Sequence, residues 1–186
     1  MLVLREDRIA LISFLAGKSA SGYIGRTALM KYLYFLQILR NVPLAYRFTL
    51  YSYGPFDSEV LADLAGAEAL DAVTSELELY SGGYGYKIKP GTKAKGVEKK
   101  AAKFLKQHDK DVTWVVEHFG QYKSSAELEL LGTIIYVDRE AHGQRKKPKL
   151  SELARNVHEI KPHFSEKKIL DLARKLAKED LLKSAA

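Results

Sequence analysis

The sequence predicts a mostly helical α+β fold, and three patterns carry that prediction. Apolar residues recur at helical spacing through residues 4–16 and 26–41. Strict polar–apolar alternation runs through Ser75–Tyr80 and Tyr84–Lys89, on either side of Ser81-Gly82-Gly83, as in a β-hairpin. Between them, Tyr51-Ser52-Tyr53-Gly54-Pro55-Phe56-Asp57-Ser58-Glu59 converts an alternating run, Tyr46–Tyr51, into a helical one. Gly54 admits backbone angles other residues resist, Pro55 fixes φ near the helical value, and Asp57 or Ser58 can cap the amides that follow.

In order, the first helix places Leu4, Ile9, Ile12 and Leu15 on one face, and a Ser/Gly-rich loop follows at 17–25. The second helix, Arg26–Asn41, is apolar almost all round, which predicts a central, buried element whose Tyr32, Tyr34 and Phe35 serve packing. Asn41-Val42-Pro43 ends it, a strand is expected at 46–51, and a third helix at 57 to about 70. After the hairpin, Pro90-Gly91 closes the sheet. A lysine-rich helix is expected at 92–107, with Val97, Ala101, Phe104 and Leu105 inward, then a separate short helix at 112–119 and a long one at 126–141. Helices at 151–159 and 165–179, broken at Lys161-Pro162, have the order of a helix-turn-helix. Helices interleaved with one short strand and followed by a hairpin are the parts of a winged helix with the hairpin as its wing. The expected division is a winged-helix domain over 1–91 and a helical region over 92–186.

Composition narrows the function classes. Apolar content of 46% and charged content of 28% are those of a globular chain, and no apolar run is long enough for a transmembrane helix. The amino-terminus lacks the pattern of a signal peptide, so a cytoplasmic location is expected. Without cysteine there is no disulfide, thiolate metal site or cysteine nucleophile. The net charge of +7 is uneven: residues 1–80 hold seven Lys or Arg against nine Asp or Glu, net −2, leaving +9 for the rest. Such an excess favours polyanionic partners.

Leu29-Met30-Lys31-Tyr32-Leu33-Tyr34-Phe35-Leu36-Gln37, then Pro43-Leu44 and Tyr53-Gly54-Pro55-Phe56, resemble the pattern of the YwgA-like winged-helix proteins. Glu127–Tyr136 and Lys161-Pro162-His163-Phe164-Ser165 extend that resemblance over roughly residues 5–182. More distantly the same helix and Tyr-Gly-Pro turn are similar to the Panacea domain of SocA-like antitoxins and proteolytic adaptors. That pattern has Trp where this chain has Tyr51. The resemblance implies a winged helix without known catalytic residues, and the Panacea similarity implies a partner protein such as a toxin.

A groove-reading helix presents Arg, Lys, Asn or Gln to DNA. The third helix instead carries Asp57, Glu59, Asp63, Glu68 and Asp71 and no basic residue, so it is expected either to be solvated or to meet a protein through Tyr53, Phe56, Glu59 and Asp63. Residues 87–106 carry Lys87, Lys89, Lys93, Lys95, Lys99, Lys100, Lys103 and Lys106 against Glu98 alone, with Tyr84 and Tyr86 nearby. They are the nucleic-acid-binding candidates, the alternative being a solvated helix; lysine without arginine points to backbone contact over base readout. The basic loop Arg145, Lys146, Lys147 and Lys149 with the last helix is a second candidate, weighed against ordinary surface helices with paired charges. The five histidines show no metal-binding spacing, and no phosphate loop or nucleophile elbow is present. The reading is a non-enzymatic regulator with no cofactor or metal, contacting DNA through the wing and following helix; the alternative is an antitoxin-like or adaptor-like protein-binding module. The sequence leaves oligomeric state open.

Overall fold

The computed structural model describes residues 3–80, 83–122 and 124–184. Its helices are α1 (Arg5–Lys18), α2 (Arg26–Leu39), α3 (Ser58–Ala69), α4 (Ala94–Lys100), α5 (Ala102–Phe119), α6 (Ser125–Gly143), α7 (Leu150–Ile160) and α8 (Glu166–Lys178). The strands are β1 (Ile24–Gly25), β2 (Thr49–Tyr51), β3 (Gly54–Phe56), β4 (Val73–Tyr80) and β5 (Gly83–Pro90). One sheet has the order β1-β5-β4, and β2 pairs with β3 in a second. The fold is α+β and mostly helical, with small antiparallel pairing. Two compact units emerge: residues 1–49 with 56–125, and residues 50–55 with 126–186.

In the first unit α2 is buried from Leu29 through Leu36, as its all-round apolarity predicts. Phe35 stacks on Phe119 of α5 at 4.0 Å between ring centres, and Tyr34 meets Phe48 edge-on at 5.1 Å. Such ring pairs contribute about 0.5–1.5 kcal/mol beyond the area they bury. Helix α1 packs on α3, α4, α5 and β5, so the expected boundary at residue 91 falls inside this unit. The expected break near residues 108–111 is absent. Phe104, Leu105, His108, Val112, Val115 and Phe119 form one buried stripe, which keeps α5 continuous while its polar residues face outward.

The β4–β5 hairpin pairs Leu77 with Tyr86 and Leu79 with Tyr84. Ser81 and Gly82, read as its turn, lie outside the described residues. The sheet closes where Gly91 passes Asp71 so tightly that a Cβ would sit 2.3 Å from the Asp71 carbonyl oxygen. Only glycine fits there.

The strand expected at 46–51 begins only at Thr49, although residues 42–47 alternate buried and exposed. Asn41 at φ 55° and Ala45 at φ 63° interrupt extended pairing. The Gln37 side chain takes the place of a neighbouring strand: its amide N–H donates to the Tyr46 carbonyl and its oxygen accepts from the Tyr46 N–H, both at 2.9 Å. The Tyr51–Glu59 corner is likewise not a direct strand-to-helix turn. Ser52 and Tyr53 turn β2 back into β3, Gly54 takes φ 81°, and Pro55 lies in β3 instead of the first helical turn. Asp57 caps α3, accepting from the Glu59 N–H at 2.9 Å and from the Arg47 N–H.

Val60, Asp63, Leu64 and Ala67 form the buried face of α3, so Asp63 is inside the fold with a fully buried side chain. It accepts from Arg8 Nε at 2.7 Å, from Arg5 Nε at 3.0 Å and from the Tyr46 hydroxyl at 3.0 Å. Arg8 also reaches Glu59. Burial opposes the Arg8 charge, but its hydrogen bond to Asp63 and the charge of that carboxylate outweigh it, and the Arg8 pKa is raised.

In the second unit α7 packs on α8 across the turn 161–165, with Leu153, Ala154 and Val157 buried on one helix and Ile169, Ala173 and Leu176 on the other. Ser165 caps α8. Asp138 of α6 is buried, pairs with Arg139, and accepts from the backbone N–H groups of Lys183 and Ser184.

Burial, and then Asp63, holds the Tyr46 hydroxyl well above its ordinary pKa of 10. Below about pH 10 folded and unfolded chains both keep this proton; above it only the unfolded chain releases it, so stability falls by about 1.4 kcal/mol per pH unit. Tyr32, raised by burial, acts in the same direction. Urea unfolding from about pH 9 to pH 11 should show this decline, with a shallower slope in Tyr46→Phe. Removing the carboxylate, Asp63→Ala, strands buried Arg8 and should destabilise the unit by about 3–5 kcal/mol at neutral pH.

Candidate nucleic-acid interface

The lysines of residues 87–106 are not equivalent. On β4 and β5, Glu76 is opposite Lys87 and Glu78 opposite Gly85, so the longer diagonal pairs form. Lys87 Nζ lies 2.5 Å from Glu78 and Lys89 Nζ 2.6 Å from Glu76. The bond to Glu78 raises the Lys87 pKa, and Lys87 also lies 4.7 Å above the Tyr23 ring. The β4–β5 hairpin is therefore a neutralised ladder. Tyr86 is covered by the Arg26 guanidinium at 3.6 Å, and Tyr84, 64% exposed, meets Tyr86 edge-on.

The positive charge left over lies on α4 and α5. Lys93, Lys99, Lys100, Lys103 and Lys106 are exposed and have no carboxylate contact among the described residues. Lys95 lies 3.8 Å from Glu98, the one acid within reach, but Glu98 itself accepts from the Ser13 hydroxyl at 2.8 Å. Helical spacing puts Lys95 with Lys99, and Lys103 with Lys106 and Lys110, on common faces. Beside them Phe14, Leu105, Lys106, Gln107, Asp109 and Lys110 line an open cleft of about 520 Å³. This surface can meet phosphates with several mobile ammonium groups and offers no rigid fork for base edges.

The expected protein-contact residues divide differently. Glu59 is exposed but engaged by Arg8, and Asp63 is the buried hub described above, so it cannot meet a partner from the surface. Phe56 is half-buried in β3. Tyr53 belongs to the other unit and is 72% exposed at the β2–β3 turn. In that unit Lys161, read from sequence only as a helix break, is buried: its ammonium pairs with buried Glu129 at 2.7 Å and donates to the Ser52 carbonyl. Glu129 also lies 3.9 Å from His163. An acid flanked by Leu128 and Leu130 in an apolar helix was the signal for this pair.

Among the described residues no cluster of three His, Asp or Glu side chains could hold a metal, and no helix is long and apolar enough to cross a membrane. Comparison with protein-family models and with curated proteins finds no match to this chain.

Lys161→Met leaves Glu129 buried without its cation and frees the Ser52 carbonyl. The second unit should lose about 3 kcal/mol or more in urea unfolding, and amide exchange at residues 50–54 should accelerate. Unchanged protection there would show that the ammonium does not hold the turn.

Proposed function

We propose that this protein is a non-enzymatic winged-helix regulator that binds nucleic acid through the exposed lysines of α4 and α5. The observation that carries the reading is the set Lys93, Lys95, Lys99, Lys100, Lys103 and Lys106, exposed beside one carboxylate that is itself engaged. The winged-helix reading is supported by the element order α1-β1-α2-β2-β3-α3-β4-β5 with β1, β5 and β4 in one sheet, and by the resemblance to YwgA-like proteins. Helix α3 takes no part in groove reading. Its outer face is Ser58, Glu59, Ala62, Ala65 and Glu68, which is small and acidic and would be repelled by phosphate. The contact is to the nucleic-acid backbone and is set by charge, with little preference among sequences.

That acidic face favours a second reading, a module that meets a protein through α3, as the antitoxin-like resemblance implies. The two differ in salt dependence. If six lysines meet phosphate, affinity for a random-sequence duplex should fall roughly a thousandfold between about 50 and 200 mM salt. Lys99→Glu, Lys100→Glu, Lys103→Glu and Lys106→Glu together should abolish binding, whereas removing both hairpin pairs whole, Lys87→Ala and Lys89→Ala with Glu76→Ala and Glu78→Ala, should change it little because those charges cancel. No binding at low salt, or binding indifferent to the four reversals, would overturn the proposal. Fluorescence anisotropy of a labelled duplex reads both.

A further inference from the structure

Among the described residues, strand β4 is the edge of its sheet, with β5 on one side and no strand on the other. Alternate residues of such an edge turn their backbone N–H and C=O groups outward, ready to pair with another chain. Natural edges are commonly blunted by proline, a bulge or inward charge, and Val73-Thr74-Ser75-Glu76-Leu77-Glu78-Leu79-Tyr80 has no proline and pairs with β5 in unbroken register.

The two faces of this edge are sharply different. Val73 at the base of the strand is buried, but on the same face Leu77 is 58% and Leu79 78% exposed, beside exposed Tyr84. On the other face Glu76 and Glu78 stand between the lysines of β5 and the open edge. Lys89 takes Oε2 of Glu76 and Lys87 takes Oε1 of Glu78, and both acidic side chains remain about half exposed.

We propose that the β4 edge is a docking site for an extended peptide that alternates apolar residues with Lys or Arg and adds a strand to the sheet. The partner's apolar residues cover Leu77 and Leu79, and its cations fall opposite Glu76 and Glu78, so that charge alternates across three strands as Lys, Glu, Lys. Charge decides against a second copy of this chain. Antiparallel self-pairing of β4 centred on Leu77 brings Glu76 to Glu78, centred on Glu78 brings Glu78 to Glu78, and the register between puts leucine against glutamate; registers that avoid this, centred on Ser75 or Leu79, lie toward the ends of the strand and overlap less of it. A protein of net charge +7 repels basic peptides in general, so capture of one depends on the half-exposed carboxylates of Glu76 and Glu78, each bound on one side only, and on the open backbone of this edge.

The test uses the full chain and three labelled nine-residue peptides: alternating Val and Lys, the same composition with its lysines in one block, and alternating Val and Glu. Anisotropy should show saturable binding of the first alone, and amide NMR shifts should concentrate on residues 74–79. Glu76→Gln with Glu78→Gln should weaken binding at least about tenfold, the loss of roughly one charged hydrogen bond. Leu77→Ser with Leu79→Ser should weaken it similarly. All four side chains are exposed, so the melting temperatures of both variants should stay near that of the parent and confirm the fold. Equal binding of the blocked peptide, shifts confined to the acidic face of α3, or a dimer in sedimentation that Leu79→Pro dissolves would each overturn the proposal.

Discussion

The first unit is organised around one carboxylate. Asp63 is buried on the inner face of α3, and its two oxygens receive both arginines of α1 and the hydroxyl of Tyr46. An unpaired charge there would cost several kcal/mol, so α1, α3 and the run 42–48 can reach the folded state only in the arrangement that supplies those donors. Hydrophobic burial alone would allow α3 to rotate or slide on α1. The charge network fixes rotation and height together, and Gly66 permits the close approach, since a Cβ there would lie 3.0 Å from Ile9.

Regular elements were legible in the sequence because each has an unmixed pattern. Helix α2 is apolar all round, α3 has a capping Asp57, and the hairpin alternates without interruption. What escaped were polar residues at buried positions. Asp63 shares the stripe of Val60, Leu64 and Ala67, yet as an acid on an acid-rich helix it reads as surface; the arginines that compensate it are some 55 residues earlier in the chain. His108 was misleading for the same reason, since a polar-looking stretch suggested a helix break inside α5. The alternation of 46–51 yields a strand only over Thr49–Tyr51, because ahead of it a side-chain amide and two residues at positive φ replace the ladder that alternation usually implies.

The lysine-rich surface was legible as composition and only partly as chemistry. Counting charge along the chain gives eight lysines against one acid over residues 87–106. Pairing across the sheet brings in Glu76 and Glu78 from outside that window and removes two of the eight from the free charge. A hairpin makes neighbours of residues about ten apart, so a charge count along one strand overstates the field that a ligand meets. On α4 and α5 the neighbours are local, and the count survives.

Residues 50–55 are grouped with a unit whose remaining residues begin at 126. Synthesis therefore delivers the Ser52 carbonyl to the folding chain long before Glu129 and Lys161, its partners in the second unit. The second unit completes its polar core only by retrieving a segment made more than seventy residues earlier, which gives it a non-local closure step and a high loop entropy to overcome. The carboxy-terminal unit is in this sense not a transferable cassette: a chain inherited, fused or cut at residue 125 would leave behind the six residues that its buried ammonium requires.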